Sequence, residues 1–455
     1  MSRWSAGYSV VAEIARSLIN DILASYIGKL RSQLTFSRSL GRIGGLAATL
    51  DKLELLDFED PAPVGGGVHT DVRFEVTLDY RLLFVIRGKP TLVVTFEEIA
   101  VDLPTTNAGL PRGVAVKIER GFKTRVTFRN ARGIAGWLLN TIIAPVLSLG
   151  IWLAFTVLRK VEIPIWPLVD VFHKIGLSFA PGSPLLTALR LSSDNSLVLA
   201  SDFTFGGAPQ GVPTRIASFL PVDANVAAVV HERAVAAAVD LAFAKGWVPS
   251  RFKVKKWKIY INSFAIAFTK GTIEASGTLK AKRKKCWCRV KARIRFRAAI
   301  RPRIIDEATA HPKVAFTYDA DVNTKISCSG MLVVLGSIMF APTFMSLTVG
   351  ASFLINILLN QFMPFRTEFK RDGLILNVYV RSVGFSGFIP LMMRFPLTLT
   401  GDGTYDLGPF LRFDLEELWG VKPYVDVGYK SDTISIAEDE LRLGVRLTPE
   451  KPPTP

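Results

Sequence analysis

From Asp71 to Arg87 the sequence alternates almost without a miss. Val72, Phe74, Val76, Leu78, Tyr80, Leu82, Phe84 and Ile86 fall on one side; Asp71, Arg73, Glu75, Thr77, Asp79, Arg81 and Arg87 are among those on the other. A strict period of two over about sixteen residues predicts a β-strand with one dry and one wet side, roughly 50 Å long at ~3.3 Å per residue. Ordinary strands are about five or six residues long. A strand this long suits an elongated, strongly curled sheet around an apolar interior that holds a helix, a lipid or both.

A second alternating run carries a different wet face. Between Lys280 and Arg303 there is no acidic residue, and Arg289, Lys291, Arg293, Arg295 and Arg297 alternate with Val290, Ala292, Ile294, Phe296 and Ala298. This predicts a basic ridge on the solvent side of a strand whose other side is buried. Lys253, Lys255, Lys256 and Lys258 precede it, with Trp257 and Tyr260 among them, and Lys282 and Lys284 lead into it. Much of the formal charge of +17 therefore sits in one quarter of the chain. A ridge of this kind fits phosphates of a lipid headgroup or an anionic membrane. The competing reading is a solvated strand face neutralised by acids on the next strand, with Asp319 and Asp321 the candidates. Nucleic acid is disfavoured as a partner, because aromatics exposed among the cations are few.

At 455 residues the chain has room for two cores. Charged residues at 21% and hydrophobic ones at 49% exclude a disordered chain. Two segments, Gly133–Leu158 and Ile326–Phe365, carry no charge at all. Their length makes them membrane-span candidates. One-face-polar strands lie before both, which favours long helices enclosed by their own sheets. Each segment contains Ala-Pro (Pro145, Pro342) followed by Ser-Leu and Gly.

Cys286, Cys288 and Cys328 are too few and too clustered for a disulfide framework. Glu13, Arg16 and Asp21 interrupt any apolar leader near the N-terminus, so no signal peptide is expected and the expected location is cytoplasmic or peripheral to a membrane.

The order of predicted elements runs twice. A helix is expected over Ala6–Gln33, from the stripe Val10, Ile14, Leu18, Ile22, Leu23, Tyr26, Ile27 and Leu30. Four strands, the first apolar helix and a closing strand at Ser196–Phe205 follow. The Gly/Pro-rich stretch Gly206–Pro213 opens a linker, and the series restarts with a helix over Asp223–Lys245. Within the third strand the apolar phase shifts at Glu97-Glu98, which predicts a bulge. The expected domains are 1–205 and 222–380, joined by a linker at 206–221. Further strands at 381–447, expected to form a bridging sheet, and a loose tail at 448–455 complete the chain.

This texture resembles the two-barrel members of the TULIP (tubular lipid-binding) superfamily, typified by bactericidal/permeability-increasing protein. Val226–Gly246 is similar to the helix that opens a barrel there, and Ile266–Leu279 to its hairpin. Leu53–Pro61 with the Val72 strand resembles the synaptotagmin-like lipid-binding domains of the same superfamily. The resemblance implies an α+β fold of two pseudo-symmetric units, each a long curled antiparallel sheet wrapped around long helices, joined as an elongated boomerang. It also implies an apolar groove or tunnel that takes acyl chains. The strand and helix patterns supply candidates to line it: Val72, Phe74, Val76, Leu78, Leu82, Phe84, Trp137, Ile142, Trp152, Val290, Ile294, Phe296, Phe340, Phe344 and Phe353.

Catalytic patterns fail. His231-Glu232-Arg233-Ala234-Val235 lacks the second histidine of a zincin helix, and the four histidines are scattered singly. Gly384-Phe385-Ser386-Gly387-Phe388 misses a nucleophile elbow by one position. The expected function is therefore non-enzymatic lipid binding or transfer, with no metal and no cofactor, and lipid as the ligand. The alternatives are a membrane-inserting protein using 133–158 and 326–365, or a structural subunit of a bacterial toxin or secretion-type complex.

Overall fold

In the computed structural model the described residues are 4–30, 34–39, 44–59, 68–82, 86–102, 113–117, 123–130, 140–141, 144, 148, 160–164, 185–190, 195–203, 211–246, 248–254, 257–285, 288–307, 312–329, 370–376, 379–381, 391–408, 411–414 and 424–450. In chain order the strands are β1 Val10–Ala15, β2 Thr35–Ser39, β3 Gly44–Glu59, β4 Val68–Leu82, β5 Ile86–Gly88, β6 Thr91–Asp102, β7 Gly113–Lys117, β8 Lys123–Arg129, β9 Lys160–Pro164, β10 Leu185–Arg190, β11 Asn195–Ser201 and β12 Val226–His231. They continue as β13 Arg251–Val254, β14 Trp257–Thr269, β15 Thr272–Lys285, β16 Cys288–Ile305, β17 Lys313–Ser329, β18 Lys370–Leu376, β19 Tyr379–Arg381, β20 Leu391–Asp406, β21 Arg412–Asp414, β22 Tyr424–Gly428, β23 Ile434–Ala437 and β24 Glu440–Pro449. Two helices have both ends among the described residues: α1, Arg16–Leu30, and α2, Glu232–Ala244.

The described residues are mostly antiparallel sheet, and the expected α+β fold with sheets wrapped around long helices is overturned. Both predicted long amphipathic helices begin instead as strands. Val10–Ala15 is strand β1 before α1 starts at Arg16, and Val226–His231 is strand β12 before α2 starts at Glu232. The physical reason is that Val10, Val11 and Ile14, like Val226, Val229 and Val230, are β-branched and alternate as well as they stripe. Strand partners decide between the two periods: β1 pairs with β11 from Val10↔Ser201 to Ala15↔Ser196. The second apolar segment is corrected at its start, since Ile326–Ser329 ends strand β17. Its remainder, and most of Gly133–Leu158, lie outside the described residues.

Two compact units emerge. One comprises Met1–Val229, Phe410–Tyr429 and Leu443–Pro455; the other comprises Val230–Pro409 and Lys430–Arg442.

The first unit holds two sheet systems. In one, β10, β11, β1, β12, β24, β22 and β21 follow in that order. Its core gathers Tyr8, Val11, Val198, Ala200, Ile216, Phe219, Ala227 and Val229. Two buried carboxylates fasten it. Glu13 accepts from Ser196 Oγ (2.6 Å) and from the Phe219 amide (2.8 Å), and Asp202 accepts from the Ser9 amide, Ser9 Oγ (both 2.9 Å) and the Gly211 amide (3.2 Å). Gly211 lies so close to Tyr8 that a Cβ would stand 2.3 Å from its ring. Burial, and then the Asp202 carboxylate, push the Tyr8 phenol up to about 12.

The other sheet of this unit runs β2-β3-β4-β6-β7-β9, with β5 on β4 and β8 on β6. Between Thr70↔Ile99 and Val72↔Phe96 the register steps, so Glu97 and Glu98 face Asp71 alone: the phase shift in sequence is a bulge. A second step on β3 follows Leu55, which stands opposite Val72, and precedes Phe58, opposite Thr70. Asn20 of α1 bonds the backbone there, its amide donating to the Leu55 carbonyl (2.9 Å) and its carbonyl accepting from the Leu55 amide (2.8 Å). Strand β8 is served the same way. Asn140 accepts from the Phe128 amide (2.7 Å) and donates to its carbonyl (3.1 Å), while Ser148 Oγ donates to the Thr124 carbonyl (2.5 Å). The polar residues of that uncharged segment therefore satisfy a strand backbone.

The second unit is one sheet, β13-β14-β15-β16-β17-β20-β18, with β19 on β20, all antiparallel. Helix α2 is capped by His231, whose Nδ1 accepts from the Arg233 amide at 3.2 Å. Burial first, and then Arg233, hold the His231 imidazole below its ordinary pKa, against the opposing pull of Glu440, Asp439 and Glu232. A protonated ring has no lone pair for the cap. Because the folded-state pKa is depressed, the unfolded chain takes up this proton first as pH falls below ~6.5, and stability declines from there down to the folded pKa. We expect His231→Asn, which keeps a capping oxygen, to remove this component of the slope. The check is a comparison of urea midpoints at neutral and mildly acidic pH. A wild-type and variant slope that coincide would refute the role.

Candidate cationic sheet face

Strand β16 shows why one unit carries so much exposed charge. Its inward residues Ala292, Ile294, Phe296, Ala298 and Ile300 are buried, and Lys291, Arg293, Arg295 and Arg297 between them are exposed. Apolar burial fixes the phase of the strand, so the cations have only the outer side to occupy. Register then extends the ridge across neighbouring strands. One row runs Lys253 (β13), Lys258 (β14), Lys282 (β15), Lys291 (β16). The next runs Arg251, Tyr260, Lys280, Arg293, Lys325, and at the same register position on β20 stands Arg394. Strands sit about 4.8 Å apart and alternate residues about 6.8 Å apart, so these cations form a close grid.

Like charges placed directly opposite on a sheet are destabilising. At ~6 Å each such pair costs about 0.7 kcal/mol even in bulk water. No acid interrupts the grid: Arg251–Val254, Trp257–Ser263, Thr278–Lys285, Cys288–Arg295 and Asn323–Ser329 contain neither Asp nor Glu. Lys282 Nζ lies 5.1 Å from the centre of the Tyr260 ring, which shields one cation from its neighbours.

Cations on another wet face have acidic partners. On the β3-β4-β6-β8 sheet Arg73 meets Glu54 (3.6 Å), Arg129 meets Glu75 (3.3 Å) and Arg125 meets Glu97 (3.8 Å). At the far end of the cationic sheet itself, Arg297 meets Glu274 (2.6 Å) and Arg301 meets Asp319 (2.6 Å). Acids of neighbouring strands thus meet Arg297 and Arg301, and Asp321 stands opposite Arg297, whereas Arg293 and Lys291 are opposite Lys325 and Ser327.

Among the other expected site residues, Lys253, Lys258 and Lys282 are exposed on this face. Arg251, Lys280 and Lys325 were missed by reading single strands. Pairing each strand's polar side with its neighbour's would have found them. Val72, Phe74, Val76 and Leu78 are half-buried on β4, three of them packed against a core of Val94, Phe96, Ile99, Val126 and Phe128. Ile294 and Phe296 are closed off from solvent, whereas Val72, Phe74, Val76 and Leu78 leave the apolar side of β4 partly open. Leu82, Lys284, Arg289 and Val290 are placed on strands, their side chains outside the described residues. Phe84, Trp137, Ile142, Trp152, Lys255, Lys256, Phe340, Phe344 and Phe353 lie outside the described residues altogether. Among the described residues no group of acids, histidines and cysteines could hold a metal ion.

Among the described residues, fold and face together describe a β-sheet protein with an unneutralised cationic surface. No protein family's model matches the chain, and no curated protein matches it. Among solved structures it is similar to P47 of Clostridium botulinum E1, at 10% identity and a TM-score of 0.32 over 85% of this chain and 98% of that one. P47 from Clostridium botulinum A2 gives 7% and 0.25 over 87% and 97%. A lipopolysaccharide binding protein gives 14% and 0.24 over 87% and 98%. Likeness at this level assigns neither a family nor a ligand.

Proposed function

We propose that the chain is a non-enzymatic lipid-binding protein that docks on anionic lipid surfaces through the outer face of β13–β17. The observation that carries this reading is the grid of like-charged residues with no acid among them, whose repulsion an anionic surface would relieve. The partly open apolar side of β4, with Val72, Phe74, Val76 and Leu78, offers a place for acyl chains, at roughly 0.8 kcal/mol per buried methylene.

No helix among the described residues is long and apolar enough to cross a membrane. One contact speaks against the membrane-inserting alternative. Asn140 and Ser148, inside one candidate span, are engaged with the backbone of β8.

Vesicle flotation tests the reading. The full chain should float with phosphatidylserine-containing vesicles at low salt, be released as the Debye length shrinks from ~10 Å at 0.1 M towards ~3 Å at 1 M, and stay unbound with phosphatidylcholine alone. Mass spectrometry of an organic extract should find co-purified lipid. Failure to float at low salt would refute docking, and a lipid-free extract together with no lipid uptake would refute the ligand class.

A further inference from the structure

The inner side of the cationic sheet is apolar. Trp257 and Ile259 on β14, Leu279 and Ala281 on β15, and Ala292 and Ile294 on β16 are all buried. Arg283 follows Ala281 on the same side of β15, two residues on. Among the described side chains at inward positions of β14, β15 and β16 it is the one that bears a charge. It is half-buried; its guanidinium carbon lies 5.8 Å from the centre of the Trp257 ring, and its Nε is buried without a hydrogen-bond partner. Arg73, whose Nε is similarly buried, is paired with Glu54, whereas Arg283 has the Trp257 ring.

A cation partly withdrawn from water is costly unless an anion or a full set of acceptors meets it. Trp257 supplies part of that compensation through its ring face. A ring face engages none of the guanidinium's parallel N–H donors in a directed hydrogen bond, and that fork matches a carboxylate or a phosphate.

We propose that Arg283 receives the anionic head of a bound amphiphile, a carboxylate or a phosphate. This rests on the lipid-binding reading above and adds the headgroup class and its anchor.

The test titrates the full chain with a fluorescent long-chain fatty acid, its uncharged methyl ester and the lysophosphatidic acid of the same chain. Arg283→Gln should weaken binding of the anionic probes about tenfold or more while the ester stays within about twofold, as expected for loss of a charge-assisted fork. Loss confined to the fatty acid identifies a carboxylate ligand, and loss confined to the lysophosphatidic acid a phosphate ligand. Arg283→Lys should lie between wild type and Arg283→Gln, because an ammonium keeps the charge without the fork. It carries the comparison alone if circular dichroism shows Arg283→Gln unfolded. Wild-type affinity for both anionic probes in the variants, or a wild type that binds ester as tightly as acid, would overturn the anchor. A wild type that binds none of the three would overturn the lipid-binding reading itself.

Discussion

Lys258→Glu, Lys282→Glu and Arg293→Glu introduced together should reduce affinity for phosphatidylserine vesicles at low salt by roughly a hundredfold or more. Each cation near an anionic surface contributes about 1 kcal/mol, and reversal replaces attraction by repulsion. The fold should tolerate the change: position 293 lies between Lys280 and Lys325, position 282 beside Lys291 and position 258 beside Lys253, and the new like-charged pair at 258 and 282 replaces one already present as two lysines. Arg297→Gln with Arg301→Gln is the control outside the grid. These cations are already satisfied by Glu274 and Asp319, and their loss should change vesicle affinity little. Equal binding by wild type and the triple variant, measured by flotation, would return the whole face to a solvated strand surface. Losses in proportion to the charge removed, the triple variant losing about three times as much free energy as the control, would mean that net charge, not this grid, drives binding.

Asp202→Ala should be among the most destabilising substitutions in the first unit. The carboxylate is buried and accepts from the Ser9 amide, the Ser9 hydroxyl and the Gly211 amide, joining the start of β1, the end of β11 and the segment leading to Phe219. Removing it strands those donors where water reaches poorly, at about 1–3 kcal/mol for each group left unsatisfied. A loss of about 3–5 kcal/mol is expected, read as a lowered urea midpoint for the first unit's transition. Asp202→Asn keeps an acceptor oxygen and should lose less. A midpoint for Asp202→Ala within error of wild type would show that the three hydrogen bonds contribute nothing net.

Glu13 and Asp202 also mark the limit of sequence reading. Both look like wet-face residues in a one-dimensional pattern: Glu13 falls opposite the apolar stripe of what reads as a helix. Its burial follows from partners about two hundred positions away, Ser196 and Phe219, which no local period can reveal. The same long-range pairing turned Val10–Ala15 and Val226–His231 from helix to strand. In β-branched runs of six residues the two periods overlap, and hydrogen bonds to β11 and to the strands beside β12 choose between them. The histidine that a zincin pattern invites one to test is instead a helix cap, a role set by backbone geometry at the strand-to-helix junction.

What the sequence determined by itself is the phase of the long strands. Alternation over Val68–Leu82 and Cys288–Ile305 places each side chain on its side of a sheet, because burying one apolar face leaves a strand no other register. The bulge at Glu97-Glu98 was legible for the same reason, as a slip in that phase. The basic ridge on β16 was legible too, being local. Only the tertiary structure decided which strands lie beside it. Pairing put Lys280, Lys325 and Arg251 next to Arg293 and Lys258, confined Glu274 and Asp319 to the other end, and turned Arg283 inward onto Trp257. Charge pairing across a sheet depends on inter-strand register, and register is set by non-local hydrogen bonds and core packing that a single chain's pattern does not contain.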